Sequence, residues 1–228
     1  MSSSGGVTVQ ELLDGMDTAA SEEQRRMWAV NCAHALGLDG VAVSVQGELL
    51  WFSDQTSARL EDVQAVLGQG PGLLFPAGEG VREVPDVDRL MMRFWPQFVP
   101  EAQELGVAAV FVWPVRIGAV QTGTLTGYRR TEGALSEQQR AEGWLVADTL
   151  AAHMLSRWPD SPAAQDGPGH AGAVDLHRAE VHQATGVLSG KLDISLPEAL
   201  VRLRAEAYST GRTLMATAHI ILERELPA

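Results

Sequence analysis

Apolar positions recur along this chain with two periods, and the change from one to the other divides it. Residues 41–45 and 48–52 alternate β-branched, apolar and polar side chains around Gln46-Gly47, the pattern of a hairpin. Residues 107–116 and 119–128 are β-rich apolar runs joined at Gly118, which predicts antiparallel neighbours, and residues 81–84 predict a short strand. Between these runs the spacing becomes helical. Ser21-Glu22-Glu23-Gln24 forms a capping box that opens a helix to about Leu36, and a second helix across 57–67 stops at Gly68. An irregular helix across 88–104 must break or kink at Pro96, and Ser136-Glu137-Gln138-Gln139 caps a helix to about Leu155. The expected fold of residues 20–157 is α+β, a mainly antiparallel sheet flanked by helices.

Residues 158–173 carry three prolines and three glycines without apolar periodicity, so they read as a linker. Beyond it, residues 174–226 switch to a purely helical pattern. Val174, His177, Val181, Ala184 and Leu188 fall in one arc of a helical wheel. Ser195-Leu196-Pro197-Glu198 opens a second helix, with Leu196, Ala199, Leu200, Leu203 and Ala207 inward and Gly211 as left-handed C-cap. Thr213 caps a third, with Leu214, Thr217, Ala218, Ile221 and Leu222 inward. The expectation is an all-α three-helix bundle, kept tight by alanines at 184, 199, 207 and 218. A unit this small presents a surface and does not enclose a deep catalytic pocket.

The helix ending near Leu155 is apolar on more than one side. Trp144, Ala147, Ala151 and Met154 form one stripe, while Leu145, Val146, Leu150 and Leu155 lie elsewhere. A surface helix needs one buried face, so the second predicts a partner subunit and a homodimer.

Composition then excludes several classes. The 228 residues have a net charge of −12. Residues 174–228 hold six basic and seven acidic residues, so the remaining 11 basic and 22 acidic ones give residues 1–173 a net of −11. The acidic front repels polyanions, and the tail is close to neutral. No apolar run reaches the roughly 20 residues of a membrane span, and residues 1–20 lack a signal-peptide pattern. A cytoplasmic protein without membrane contact is expected. Cys32, the single cysteine, excludes an internal disulfide and reads as a small buried hydrophobe.

Catalysis has no visible carrier, and no enzyme and no cofactor are expected. Leu67-Gly68-Gln69-Gly70-Pro71-Gly72 follows a helix, whereas a dinucleotide fingerprint follows a strand, so a turn with positive φ is predicted. Lys191 is the only lysine and lies outside any phosphate-loop pattern. No Gly-x-Ser-x-Gly or His-Glu-x-x-His occurs. Asp86 and Asp88, near Glu83, read as solvated turn carboxylates, and His177 and His182 are five apart, off one helix face, so no metal is expected. Arg204 and Tyr208, one helical turn apart with Arg212 close by, suit a base-stacking platform. An ordinary Arg–Tyr packing pair on a solvated face accounts for the same spacing.

The tail resembles the ANTAR family of RNA-binding antiterminator modules. The resemblance rests on Ala184 and Gly186, on Ala199, Leu203, Arg204 and Ala207, and on Arg212, Leu214 and Ala218. Residues 20–156 resemble the GAF domain joined to ANTAR in actinobacterial regulators. That likeness rests on the 67–72 loop, Pro85-Asp86-Val87, Glu104-Leu105-Gly106-Val107, Trp113-Pro114-Val115 and Gly123-Thr124-Leu125. Thr185 stands where ANTAR usually has lysine, Ser189 where it has methionine, and Gly72 where such GAF domains often have cysteine.

The resemblance implies a dimeric transcription antitermination regulator that binds paired small-loop RNA hairpins in nascent transcripts. It implies RNA contacts at Lys191, Arg204 and Arg212, stacking at Tyr208 and close approach at Gly186. The front domain would bind a small molecule or serve as a ligand-free dimerisation platform. With no sheet cysteine for a bilin, and only His34 and His153 before the linker, the ligand itself is unread. The alternative reading is a protein-interaction or dimerisation module whose ANTAR bundle has lost RNA affinity.

Overall fold

A computed structural model of the chain describes residues 12, 22–45, 48–73, 80–90, 94–157, 179–212 and 214–225. The Ser21 cap, the Gln46-Gly47 turn, the 158–173 linker, Val174, His177 and Thr213 lie outside them. The elements are α1 (Glu22–Ala35), β1 (Gly40–Val45), β2 (Glu48–Phe52), α2 (Gln55–Leu67), β3 (Arg82–Val84) and α3 (Val87–Leu90). They continue with α4 (Phe98–Glu104), β4 (Ala109–Ile117), β5 (Val120–Arg129), α5 (Glu137–Arg157), α6 (Ala179–Leu192), α7 (Leu196–Ser209) and α8 (Leu214–Glu225).

The strands form one antiparallel sheet in the order β2-β1-β5-β4-β3. The period-two alternation in β4 decides what each face buries. Ala109, Phe111, Trp113 and Val115 point to the side that α1 and α5 cover, joining Trp28, Cys32, Leu36, Val146, Ala147, Leu150 and Ala151. Val110 and Val112 point the other way and pack with Leu60, Val63, Phe98, Val99, Ala102 and Tyr128, beneath α2 and α4. Because β3 pairs only with Val110–Val112, Pro114 lies beyond its reach, where a missing backbone donor breaks no β3–β4 bond.

Several expectations shift. Helix α2 starts at Gln55 rather than at 57, because Asp54 is its N-cap: Oδ1 accepts the Ser57 amide at 2.7 Å and the Ser57 hydroxyl closes the box. The irregular 88–104 segment contains the separate helices α3 and α4, with Pro96 before α4. On α5 the buried arc is Val146, Ala147, Leu150 and Ala151, which mixes the two expected stripes; Leu145 and Leu155 are exposed. Ser136 and Gln139 do cap that helix reciprocally, at 2.9 and 3.2 Å.

Helices α6, α7 and α8 pack around Val181, Ala184, Leu203, Ala207, Leu214, Ala218 and Ile221. Ser195 and Glu198 form the expected capping box of α7, and Gly211 takes φ +61° just past its end. Leu196 is the correction. It lies on the same arc as the other four residues but in the first turn of α7, where it is 58% exposed. The bundle is not isolated from the sheet domain: Ala65 and Val66 of α2 belong to the same apolar cluster. Among the described residues no helix is long and apolar enough to cross a membrane.

Candidate nucleic-acid interface and the cavity beside it

The buried side of α2 is not wholly apolar, and its polar residues build a cavity of about 320 Å³. Ser44 of β1, with Gln121, Thr122, Gly123 and Thr124 of β5, supplies the sheet side; Glu61, Gln64 and Ala65 supply the helix side; Gly72 and Leu73 border it. A hydrogen-bonded relay crosses it. The Ser44 hydroxyl donates to Glu61 Oε2 at 2.6 Å, Gln64 Nε2 donates to Glu61 Oε1 at 2.9 Å, and the Gly72 amide donates to Gln64 Oε1 at 2.8 Å. Both Glu61 oxygens thus accept bonds in a buried position, as a buried carboxylate requires. The glycines of the 67–72 loop make this relay reachable: Gly68 (φ +63°) ends α2 by donating to the Gln64 carbonyl, and Gly70 (φ +133°) follows.

Arg204 reaches this cavity from α7 and lines it. A Cβ placed on Gly68 would stand 3.5 Å from Arg204 Nη1, so the guanidinium lies over the C-terminal end of α2. There the helix dipole is negative and favours a cation. One turn further along α7, Tyr208 and Arg212 line a separate cleft of about 60 Å³, shared with Arg59, Val63, Val66 and Leu67 of α2 and with Glu101 of α4.

The five expected RNA-contact residues therefore do not form one patch. Arg204 is half-buried in the seam between α7 and α2, while Tyr208 (52% exposed) and Arg212 stand at its solvent edge. Gly186 and Lys191 are exposed on α6, and nothing lies within 4 Å of a Cβ built on Gly186. Thr185, at the position where lysine was expected, is buried and donates its hydroxyl to the Val181 carbonyl at 2.6 Å. Ser189 likewise works locally, donating to the Ile194 carbonyl at 2.6 Å and closing the α6–α7 turn.

Glu83 in β3, Asp86 before α3 and Asp88 in α3 are each engaged. Glu83 pairs with Arg140, which raises the arginine's pKa; Asp86 accepts the Arg89 amide at 2.9 Å; Asp88 accepts from Gln103 at 2.7 Å. Cys32 is fully buried, and burial pushes its thiol well above the usual range. Glu61 and Gln64 escaped the sequence reading. Their signal was two polar side chains three apart on α2, next to the Leu60–Val63 stripe, where solvated residues are the ordinary expectation.

No family model matches the chain, and no curated protein does. Solved structures do. A domain assigned to a two-component sensor histidine kinase protein from Sinorhizobium meliloti 1021 is 16% identical, with a TM-score of 0.50 over 60% of this chain and 92% of that one. The GAF domain of a phosphoenolpyruvate-protein phosphotransferase from Coxiella burnetii is 17% identical, with a TM-score of 0.48 over 68% and 96%. The phycoerythrobilin-bound GAF domain of a cyanobacterial phytochrome is 15% identical, with a TM-score of 0.45 over 68% and 96%. The likeness to the Sinorhizobium domain shows the fold: an α+β arrangement with a five-stranded antiparallel sheet flanked by helices.

Proposed function

We propose that the chain is an RNA-binding regulator of transcription antitermination, in which a GAF domain governs a C-terminal ANTAR bundle. The observation that supports this best is the compact α6–α8 bundle, which carries an exposed Tyr208 with Arg212 beside the same cleft at the edge of α7. Splayed loop bases are read by stacking and edge hydrogen bonds, which an exposed Tyr208 with Arg212 supplies. Lys191 on α6 adds a further cation, and the open surface over Gly186 admits a close backbone approach. The protein acts through binding and not through turnover.

The working unit is a homodimer. Leu145 and Leu155 on α5, with Met27 and Val30 on α1, leave large side chains exposed on the two helices that share one side of the sheet. Sedimentation at micromolar concentration should report a dimer; a monomer would remove this part of the proposal. A gel shift with a two-hairpin RNA, repeated across salt concentrations, tests the function itself. Affinity should fall as salt rises, and Lys191→Ala should weaken binding and flatten that slope. The near-neutral tail and the inward turn of Arg204 favour a second reading, a dimerisation module without RNA affinity, and absence of any shift at low salt, by the wild-type chain and by variants with the bundle freed from α2, would establish it.

A further inference from the structure

The residues expected to meet RNA and the residues that hold the bundle against the sheet domain overlap on α7. Leu203 and Ala207 pack in the cluster that contains Ala65 and Val66 of α2. Arg204, between them, places its guanidinium over the end of α2 and beside the cavity that holds Glu61. Val66, 8% exposed, and Ala65, 6% exposed, are small apolar residues on α2 whose burial is completed by the bundle. Tyr208 and Arg212 look across a cleft too small for a nucleobase, toward Arg59 and Glu101. Arg59, which pairs with Asp62 at 3.2 Å, and Glu101 line that cleft with them.

We propose that this docking is autoinhibitory: α2 of the sheet domain engages Arg204 at the nucleic-acid edge of α7, and tight RNA binding follows once the bundle lifts from α2. The inference rests on the RNA-binding reading above and adds to it a specific competitor, the Ala65–Gly68 end of α2. Two features suit the seam to reversible docking. Its apolar part is narrow on the α2 side, limited to Ala65 and Val66 with the half-buried Leu67 at its margin, so it is weaker than the cores on either side of it. Its polar part is a cation at a helix C-terminus, a contact that a phosphate group can replace. The same guanidinium cannot serve both partners at once.

The test uses the full chain with Val66→Asp, and independently Ala65→Glu, each placing a charge in the seam and substituting none of the residues assigned to RNA. Small-angle scattering reports undocking as a larger radius of gyration, and circular dichroism checks that both units stay folded. A two-hairpin, small-loop RNA is the probe. Undocked variants should bind it about tenfold more tightly than the wild-type chain, within the usual range for coupled equilibria. Equal affinity in expanded variants and wild type would overturn autoinhibition and leave the RNA reading standing. No binding by any form, at low salt and with undocking verified, would sink the RNA reading and the inference with it. If both variants stay docked by scattering, the seam is not the narrow contact described here and the inference fails on that ground.

Discussion

Gly143 tests how the sheet domain is held together. It lies inside α5, where alanine would ordinarily be favoured over glycine by about 1 kcal/mol. Its backbone rests on the indole of Trp113, and a Cβ there would stand only 2.5 Å from Cζ2 and Nε1. Carbon contacts are comfortable at roughly 3.5–4.0 Å, so the methyl group and the ring must separate by about 1 Å. The ring has little freedom. Trp113 is fully buried, and its Nε1 donates to the Arg140 carbonyl at 3.2 Å, a bond worth about 1 kcal/mol that the shift would stretch.

Overpacking of this kind costs about 1–3 kcal/mol, and losing the Trp113 bond adds about as much as the propensity gain offsets, so Gly143→Ala should lose about 1–3 kcal/mol net. Urea unfolding followed by tryptophan fluorescence should show the midpoint falling by about 1 M if the slope is near 2 kcal/mol/M. A midpoint equal to or above wild type would refute the reasoning. Trp113→Leu, damaging alone, should be much less damaging in the Gly143→Ala background, because the two substitutions share one space.

Cys32 should resist a water-soluble thiol reagent at pH 8 in the folded protein and react once it is unfolded; fast labelling of the native chain would contradict its burial. Glu198 is held below its ordinary pKa, first by the Ser195 hydroxyl and then by the Ser195 amide. Its contribution to α7 is therefore present above the ordinary glutamate value of about 4.3 and lost as pH falls through the lowered folded value. Glu198→Gln should flatten that acid dependence in a circular dichroism titration, and an unchanged titration would show that the cap is not coupled to protonation.

Periodicity carried the reading furthest where one face of an element is buried and the other is wet. The alternation in β4 and β5 placed both strands within two residues, and the α7 stripe was correct at Ala199, Leu200, Leu203 and Ala207. It failed at Leu196, because the first turn of a helix projects past the neighbour it packs on. It failed on α5 because a helix lying on a sheet buries a wide arc, which a wheel divides arbitrarily into stripes. The start of α2 was missed because Asp54 follows the strand end so closely that its cap role is visible only in the Ser57 geometry. The candidate site was legible as residue types and not as a place. Arg204, Tyr208 and Arg212 could be picked out from spacing, yet spacing within α7 says nothing of α2, which a long-range contact brings beneath them.

The cavity with one side from the sheet and another from Arg204 carries a thermodynamic obligation. Any solute that settles there and touches the guanidinium gains or loses by exactly as much as it alters the hold of α7 on α2, since a cycle of two equilibria must close. A metabolite that prefers the shut arrangement would keep transcripts away, and a transcript seized by the bundle would in turn evict that metabolite. Under the proposed function, sensing and output would need no lever between them, because one side chain would belong to both ledgers.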